Sequence, residues 1–407
     1  MSGFLALVSA AIIALTQTAS SAPTGSSNTT STKLCVQLQI PVPVVADQYH
    51  YDQPQVDSNI DAIDWTVNVT TWDMADWNAR QRGTVHVNQI FNISAQLCVP
   101  SKNTSKADVL HIATAGQGFD RRYYDVEIQP EEYSYVDAAI GKGYSVLAYD
   151  RIGTGGSEKP DAYDIVQIPT DIEVLAGLTK IARSGDLISS SQVSAATTGG
   201  EPAIQDYQAT KVVHVGHAYG SYITSIMFAN PTYAILSDGA LMTGLYFNFA
   251  MENNSLTVLN YNHAFPKEND PVRFAEWGSG YFVLDNKQTL QKLFFQKATL
   301  DPALLDYTEA IKQPESVGTY SSEGNSTLTP ATDFTGPIMF FTGEFDNYVC
   351  NGDCNGVFDE HFTNYLYPNA TALAHYLQPG AGHATGLSTN ASAGYEVMLQ
   401  YLDSQGL

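Results

Sequence analysis

The segment VVHVGHAYGS, residues 212–221, decides the fold. It begins with apolar β-branched residues typical of a buried strand, and helix-like sequence follows over 219–230. Between them, GHAYG (216–220) matches the strand-to-helix turn G-x-S-x-G, with Ala218 in the serine position. The central residue of such a turn has a strained backbone, and side chains at the two glycine positions would clash with neighbouring chain. The segment therefore predicts a strand, a sharp turn and a helix that present position 218 at a sheet edge.

The rest of the chain alternates apolar strands with helices. Predicted strands lie at 109–113, 144–149, 212–215, 235–242, 337–341 and 372–377. Predicted helices lie at 131–140, 171–182, 219–230 and 393–402. Buried strands separated by helices indicate an α/β fold with a mostly parallel central sheet, covered on both faces. An alternating pattern nearer the N-terminus predicts antiparallel strands at 65–69, 85–87 and 90–97.

The domain organisation follows from a break in this alternation. Residues 245–335 carry many aromatic and leucine residues at helical spacing, and so long a stretch inside a domain is expected to have structure of its own. We interpret it as a helical cap inserted late in the sheet. The core then comprises 34–244 and 336–407, preceded by a Ser/Thr/Gly-rich flexible leader at 23–33.

The N-terminus predicts a secretory signal peptide over residues 1–22. An apolar run, 4–15, is too short to span a bilayer, and small residues follow at 19–22, although no Lys or Arg precedes the run. Glycosylation sequons support a secreted, extracellular protein. They begin at Asn28, Asn68, Asn92, Asn103, Asn253, Asn325, Asn369 and Asn390.

The composition narrows the classes of partner. The formal net charge of the 407-residue chain is −23, and 44% of its residues are hydrophobic. We therefore expect a large core and no nucleic-acid partner, because nucleic acids and anionic membranes require a basic face. No membrane association is expected after the signal is removed, and the sequence indicates no oligomeric state.

The four cysteines predict disulfides, because an even number in an oxidising compartment favours pairing. Three pairings are possible, and we favour Cys35–Cys98 and Cys350–Cys354. A metal site at Cys350 and Cys354 would need two further nearby ligands, and none is evident. We expect no metal.

Two further loops carry chemistry. Asp346 lies in TGEFD, 342–346, after the strand at 337–341, and His383 ends PGAGH, 379–383, after the last strand. A carboxylate and an imidazole after late strands, downstream of the turn at 216–220, give the order nucleophile position, acid, histidine.

At this point the chain resembles the α/β-hydrolase superfamily, and more closely its secreted fungal members. Residues 149–157, YDRIGTGGS, are similar to the family turn D-R-x-G-x-G-x-S, and 116–120, GQGFD, to the second half of its oxyanion loop H-G-x-G-F-D. The resemblance covers essentially residues 60–407. It implies an α/β-hydrolase fold and acyl-transfer chemistry, in which the nucleophile attacks a carbonyl and a histidine removes its proton.

Carried over by position, the resemblance implies the role of each residue. His383 would be the base, Asp346 its orienting partner, and the backbone N–H groups of Gln117 and Tyr219 the oxyanion donors. Position 218 is the nucleophile position. The elbow around it is formed by Gly216, His217 and Gly220.

The chain departs from the family pattern at two places. Ala218 has no nucleophilic atom, and loss of the nucleophile of a triad costs several orders of magnitude in rate. Ala115 also stands where the family motif has histidine. Ser221 is a weak alternative nucleophile, and Asp238 is the second choice for the acid.

Other residues near the motifs are expected to be structural. His111 and His214 are interpreted as hydrogen-bonded core residues, and His217 as a structural part of the elbow. Asp150 and Arg151 are expected to fix a turn. Tyr123 and Tyr124 are expected either to line a pocket or to pack.

Three functions remain open. The first is hydrolysis of a small organic ester, amide or lactone by acyl transfer, impaired by Ala218. The second is a serine-less protein that binds a hydrophobic molecule or performs acid–base chemistry in fungal natural-product biosynthesis. The third is a non-catalytic structural or partner-binding protein with a vestigial site. For the first two we expect a small hydrophobic substrate or ligand. No cofactor is expected, because the glycines at 153–156 lack a dinucleotide-binding context.

Overall fold

A computed structural model describes residues 33–70, 77–102, 104–194, 202–245, 247–248 and 261–407. The predicted signal peptide, all of the leader except Lys33, and the sequons at Asn28, Asn103 and Asn253 lie outside the described residues. No helix in the described part combines the length and apolar character needed to cross a membrane.

Within the described residues, nine strands form the central sheet, in the order β12-β11-β7-β6-β3-β4-β2-β1-β5. Neighbours from β12 to β4 are parallel, and β2, β1 and β5 are added antiparallel at the other edge. The predicted mostly parallel sheet is confirmed. The strands are β1 (Lys33–Tyr51), β2 (Gln81–Pro100), β3 (Val109–Thr114), β4 (Ser145–Tyr149), β5 (Gln192–Ser194), β6 (Lys211–His217), β7 (Gly239–Thr243), β8 (His263–Ala264), β9 (Tyr281–Leu284), β10 (Glu315–Ser316), β11 (Ile338–Gly343) and β12 (Leu373–Gln378).

Helices cover both faces of this sheet. The helices are α1 (Asn59–Thr70), α2 (Trp77–Arg80), α3 (Pro130–Tyr133), α4 (Tyr135–Gly141), α5 (Ile168–Ser184), α6 (Pro202–Gln205), α7 (Tyr219–Ala229), α8 (Pro231–Ala234), α9 (Pro266–Asn269), α10 (Lys287–Phe294), α11 (Pro302–Ile311), α12 (Val317–Glu323), α13 (Asn347–Cys350), α14 (Glu360–Leu366) and α15 (Ala391–Ser404). Apolar residues of α5 and α7 pack in one core cluster, and those of α4 and α15 in another. Successive strand residues such as Val212 and Val213 enter opposite clusters, because side chains alternate across a sheet.

The long hairpin of β1 and β2 is fixed by one of the two disulfides. Cys35 and Cys98 are paired directly across the two strands and are bonded to each other. The second disulfide joins Cys350 and Cys354. This is the pairing that the sequence led us to favour.

The predicted strand at 65–69 is wrong, because these residues belong to helix α1. Ala62 and Trp65 are fully buried, whereas Ile63 and Val67 are exposed, which is a helical rather than an alternating pattern. Trp65 packs on Phe282, with ring centroids 5.2 Å apart. Tertiary packing of this one indole therefore outweighs the β-propensity of the neighbouring valines.

Two other predicted elements need correction. The single helix expected at 131–140 is two helices, α3 and α4, separated by Ser134, whose hydroxyl accepts the N–H of Asp137 as an N-cap. The strand expected at 235–242 is shorter and begins at Gly239. Ile235 instead is the C-cap residue that follows α8, and it is 72% exposed.

The described part of the 245–335 insertion is not purely helical. It contains α9 to α12 together with a small antiparallel sheet in the order β10-β9-β8. Strands of two to four residues carry too weak a periodicity to be recognised in a sequence. The assignment of this insertion as a separate cap stays a prediction.

Five predicted glycosylation sites lie within the described residues. Asn92 and Asn369 are exposed, and Asn68, Asn325 and Asn390 are partly exposed. The amide of Asn390 donates to the carbonyl of Pro379 at 2.8 Å. Their modification stays a prediction.

Candidate active site

Ala218 stands at the end of β6 in a backbone conformation that alanine rarely adopts. Its φ is 49° and its ψ −116°, and its N–H donates to the carbonyl of Thr243 at 2.8 Å. Positive φ is costly for a residue with a Cβ and persists only where the surrounding structure enforces it. The strained turn of a nucleophile elbow is thus present without a nucleophile.

Two glycines make this turn possible. A Cβ on Gly216 would lie 2.5 Å from the Cα of Ser221, and one on Gly220 would lie 2.0 Å from the carbonyl oxygen of Thr114. Both contacts are far shorter than van der Waals distance and involve backbone atoms. Gly220 thereby allows α7 to begin directly against β3, next to the loop that carries Gln117.

Asp346 and His383 meet beyond the ends of β11 and β12. His383 Nδ1 lies 2.7 Å from Asp346 Oδ2, and both side chains are buried. The other Asp346 oxygen accepts the N–H groups of Tyr348 and Val349, each at 2.8 Å. Because a carboxylate only accepts hydrogen bonds, Nδ1 carries the proton and Nε2 is left as the basic nitrogen.

The His383 imidazole is closely surrounded by the backbone of Gly244 and by two rings. Gly244 has φ 61°, and a Cβ there would lie 2.9 Å from His383 Cε1. The rings of Tyr348 and His217 are each centred 4.9 Å from that of His383. The ring is therefore held on several sides.

Neither alternative residue occupies a catalytic position. The Ser221 hydroxyl donates to the carbonyl of Thr243 at 2.9 Å and is fully buried, which leaves it no route to a substrate. Asp238 lies just before the amino end of β7, where it pairs with Arg183 and accepts the N–H of Val212. It is at the opposite end of the sheet from His383.

The other histidines singled out in the sequence are buried. Tyr135 Oη lies 2.9 Å from His111 Nδ1, and His214 has hydrogen-bond partners at both ring nitrogens. Burial lowers the pKa of both imidazoles to about 3. His217 stacks on Tyr123, with ring centroids 4.4 Å apart, and burial also lowers its pKa well below the ordinary value.

A cavity opens above Ala218. The space that a water-sized sphere can enter amounts to about 30 Å³. The surface is mostly aromatic and aliphatic, as in small-molecule sites. The lining residues are Gln117, Gly118, Ala218, Tyr219, Tyr261, His263, Phe282, Leu284, Leu293, Phe294, Gln313, Glu315, Tyr320, Tyr348 and His383.

Two backbone N–H groups remain for an oxyanion. The Gln117 N–H has no acceptor among the described residues. Tyr219 is the first residue of α7, so the helix offers its N–H no acceptor. The next N–H of the loop, that of Gly118, donates to Glu315 Oε1 at 2.8 Å. The two residues carried over from the family thus line the cavity beside Ala218.

The loop is held from behind by Arg151. Its guanidinium donates to the carbonyls of Ala115 and Gly116, at 3.0 and 3.2 Å, and to Glu315 at 2.5 Å. Gln117 in turn donates its side-chain amide to Glu323 at 2.5 Å. Arg151 is only 1% exposed, so it braces the loop and does not touch a substrate.

Three carboxylates share this single guanidinium. Asp171 Oδ2 lies 3.9 Å from Arg151 and accepts the Tyr219 hydroxyl at 2.8 Å. Burial raises the pKa of Asp171 to about 7, against the opposing charge of Arg151. Burial and the neighbouring Glu315 raise the pKa of Glu323 to about 8, although part of its side chain is accessible. Burial also raises the pKa of Glu315 itself.

The raised pKa of Asp171 predicts a pH-dependent stability. Between its ordinary pKa of 3.8 and about 7, the folded chain holds a proton that the unfolded chain has released. The contribution of Asp171 to the free energy of unfolding should therefore fall as the pH rises through this range, opposite in sign to the contribution of the buried histidines. Asp171→Asn, which keeps an acceptor for Tyr219, should remove this contribution and shift the slope of the free energy of unfolding against pH upward by up to about one proton.

Urea unfolding at pH steps from about 4 to 8 measures this slope. The control is Asp306→Asn, because the Asp306 side chain is 67% exposed and its removal should leave the slope unchanged. An equal slope in Asp171→Asn and the unaltered chain would contradict the assignment.

Comparison with known proteins finds only remote structural similarity. Neither a protein-family model nor a curated protein sequence matches the chain. A thermophilic esterase from Thermogutta terrifontis is similar in structure, with 12% identity, a TM-score of 0.46, and 77% of this chain and 94% of the esterase aligned. A bromoperoxidase from Bacillus anthracis is 16% identical, with a TM-score of 0.47 and with 77% of this chain and 96% of that protein aligned. A hydrolase from Pseudomonas aeruginosa is 12% identical, with a TM-score of 0.45 and with 77% of this chain and 94% of that protein aligned.

By its own topology the chain has an α/β-hydrolase fold: in the described residues a mostly parallel nine-stranded sheet lies between helical layers, and a strained turn at Ala218 joins β6 to α7. At identities of 12–16% and TM-scores below 0.5, the likeness to these proteins supports no family and no activity for this chain. The activities of those proteins are therefore not transferred to this chain.

Sequence reasoning missed several residues of the site. Glu315, Glu323 and His263 come from the insertion, where no motif marks them. Asp171 was recognised only as the start of a helix. The one available signal was the charge of Arg151 after a buried strand, because a buried guanidinium requires carboxylate partners.

Proposed function

We propose that this chain performs general acid–base chemistry through His383 on a small, mostly apolar organic molecule, without a covalent enzyme intermediate. The observation that carries the proposal is the His383–Asp346 pair, completed by a hydrogen bond of 2.7 Å beside a position that has no nucleophilic atom. A protein that only binds a ligand has no need of an oriented imidazole.

In this reaction His383 Nε2 removes a proton from the substrate, and Asp346 stabilises the imidazolium that forms. The N–H groups of Gln117 and Tyr219 stabilise negative charge that develops on a substrate oxygen. The proton then returns from Nε2 to another substrate atom or to water. Elimination, isomerisation and cyclisation all proceed by such proton transfers. They are the kinds of step that a secreted fungal protein would perform in natural-product biosynthesis.

A second candidate is acyl transfer on an ester, amide or lactone. The strained φ of 49° at Ala218 favours it, because such a backbone serves to present a nucleophilic oxygen. This chemistry requires an oxygen that Ala218 lacks, so the unaltered chain would hydrolyse esters weakly. Binding alone, whether of a small ligand or of a partner, gives the strained turn at Ala218 and the His383–Asp346 pair no role.

Ring opening of 5-nitrobenzisoxazole tests the first proposal, because a base removes one ring C–H proton while the N–O bond breaks. We expect the unaltered chain to accelerate it and His383→Ala to be slower by about 100-fold or more. Asp346→Asn should fall between them, because the ring loses its orientation. The control is His361→Ala, an exposed residue of α14. Equal rates for the unaltered chain and His383→Ala would exclude general-base catalysis by His383.

A further inference from the structure

Glu315 brings a carboxylate to the wall of the cavity. Of the Asp, Glu, Lys and Arg side chains in the described part of the chain, it alone lines the cavity. Its exposed fraction is only 4%. Both hydrogen bonds that it accepts, from Gly118 and Arg151, end on Oε1. Its second oxygen, Oε2, accepts no hydrogen bond from the described residues, yet it is not fully enclosed and keeps some accessible surface.

Aromatic rings surround the same part of the cavity. Glu315 is paired with Phe282 across β9 and β10, and directly opposed residues project their side chains to the same face. Phe282 contacts Tyr320, with ring centroids 5.0 Å apart, and His263 at 4.3 Å. A carboxylate beside aromatic faces is the chemistry that recognises an organic cation.

Around Glu315 the carboxylates outnumber the positive groups. Three carboxylates, Asp171, Glu315 and Glu323, face the single guanidinium of Arg151. Burial lowers the pKa of His263 to about 3, so this ring supplies no cation. Near neutral pH, Asp171 and Glu323 are partly protonated, which reduces the excess negative charge. A bound cation would stabilise their ionised forms and so release some of these protons.

We propose that the ligand of this cavity is a small organic amine in its protonated form, with its ammonium on Glu315 and its apolar part among Phe282 and Tyr320. The inference rests on the proposed function, since the same amine would be the substrate presented to His383. An inorganic cation is the other possible occupant. In the described part of the chain no group of three or more His, Cys, Asp or Glu side chains is placed to hold a metal, so we commit to the organic ion.

Titration calorimetry with 2-phenylethylamine and its neutral analogue 2-phenylethanol tests the proposal. The unaltered chain should prefer the amine by about 10-fold, from a charge-assisted hydrogen bond and cation–π contact. Glu315→Gln should reduce the preference to about 2-fold or less while the alcohol binds as before. Gln keeps an acceptor for the Gly118 N–H, and the matched control Glu276→Gln removes a carboxylate that is 77% exposed.

Proton release gives an independent reading. Repeating the titration in buffers of different ionisation enthalpy should show protons released by the amine and none by the alcohol. Glu323→Gln, which lies outside the cavity lining, should retain most of the amine preference and release fewer protons. This variant keeps the proposal testable if Glu315→Gln does not fold.

Three results would overturn the proposal: equal affinity for amine and alcohol, an unchanged preference in Glu315→Gln, or displacement of the amine by equimolar Mg²⁺ or K⁺. The binding assay does not depend on catalysis. If the chain binds the amine but shows no His383-dependent turnover, the proposed function is contradicted and the amine site stands. If turnover depends on His383 but the amine is not preferred, the amine site is contradicted and the proposed function stands.

Discussion

Ala218→Ser should convert this protein into one that is labelled by a fluorophosphonate and hydrolyses short-chain aryl esters. The turn already has the backbone geometry, with φ 49° at position 218, and His383 is already paired with Asp346. Only the attacking oxygen is missing. We expect ester hydrolysis to rise by at least about 10³-fold over the unaltered chain, the order of magnitude that removing a nucleophile costs a triad.

Two controls identify the new oxygen as the nucleophile. In Ala218→Ser combined with His383→Ala, labelling should fall sharply, because the serine no longer has a base. Ser221→Ala in the Ala218→Ser background should leave labelling unchanged, since the Ser221 hydroxyl is buried against the carbonyl of Thr243. Labelling of the unaltered chain would reveal another nucleophile. Failure of Ala218→Ser to react would remove acyl transfer as a candidate.

The sequence predicts those parts of the site that depend on the local conformation of the chain and on the order of its strands. The glycines at 216 and 220 mark a turn that no other residue allows. Asp346 and His383 each follow a recognisable apolar strand, and carboxyl ends of parallel strands meet at one edge of the sheet. The order of segments along the chain therefore placed these residues together.

The part that could not be predicted depends on contacts between distant segments. Glu315 reaches Gly118 across 197 positions and Arg151 across 164, and nothing in its neighbouring sequence distinguishes it from a surface glutamate. The same cause explains the error at 65–69, where a valine-rich stretch is helical because Trp65 packs against Phe282 of the insertion. The pattern of apolar residues in a short segment therefore does not settle its secondary structure when the segment it packs against is distant in the chain.

Gly220 lies directly against the carboxyl end of β3, so Gly220→Ala should damage both stability and site. The added Cβ would lie 2.0 Å from the carbonyl oxygen of Thr114 and 2.7 Å from its carbonyl carbon. Both atoms belong to β3 in the centre of the sheet, which cannot move aside without breaking its ladders with β4 and β6. We expect a loss of about 3 kcal/mol or more in the free energy of unfolding.

Gly141→Ala is the matched control for this prediction. Gly141 is the last residue of α4, and a Cβ there meets nothing within 4 Å. Alanine at a helical position with open space should leave the melting temperature equal or slightly higher. Urea unfolding of the two variants separates a steric effect at Gly220 from the general effect of replacing glycine. A Gly220→Ala protein as stable as Gly141→Ala would show that α7 does not need to approach β3 so closely.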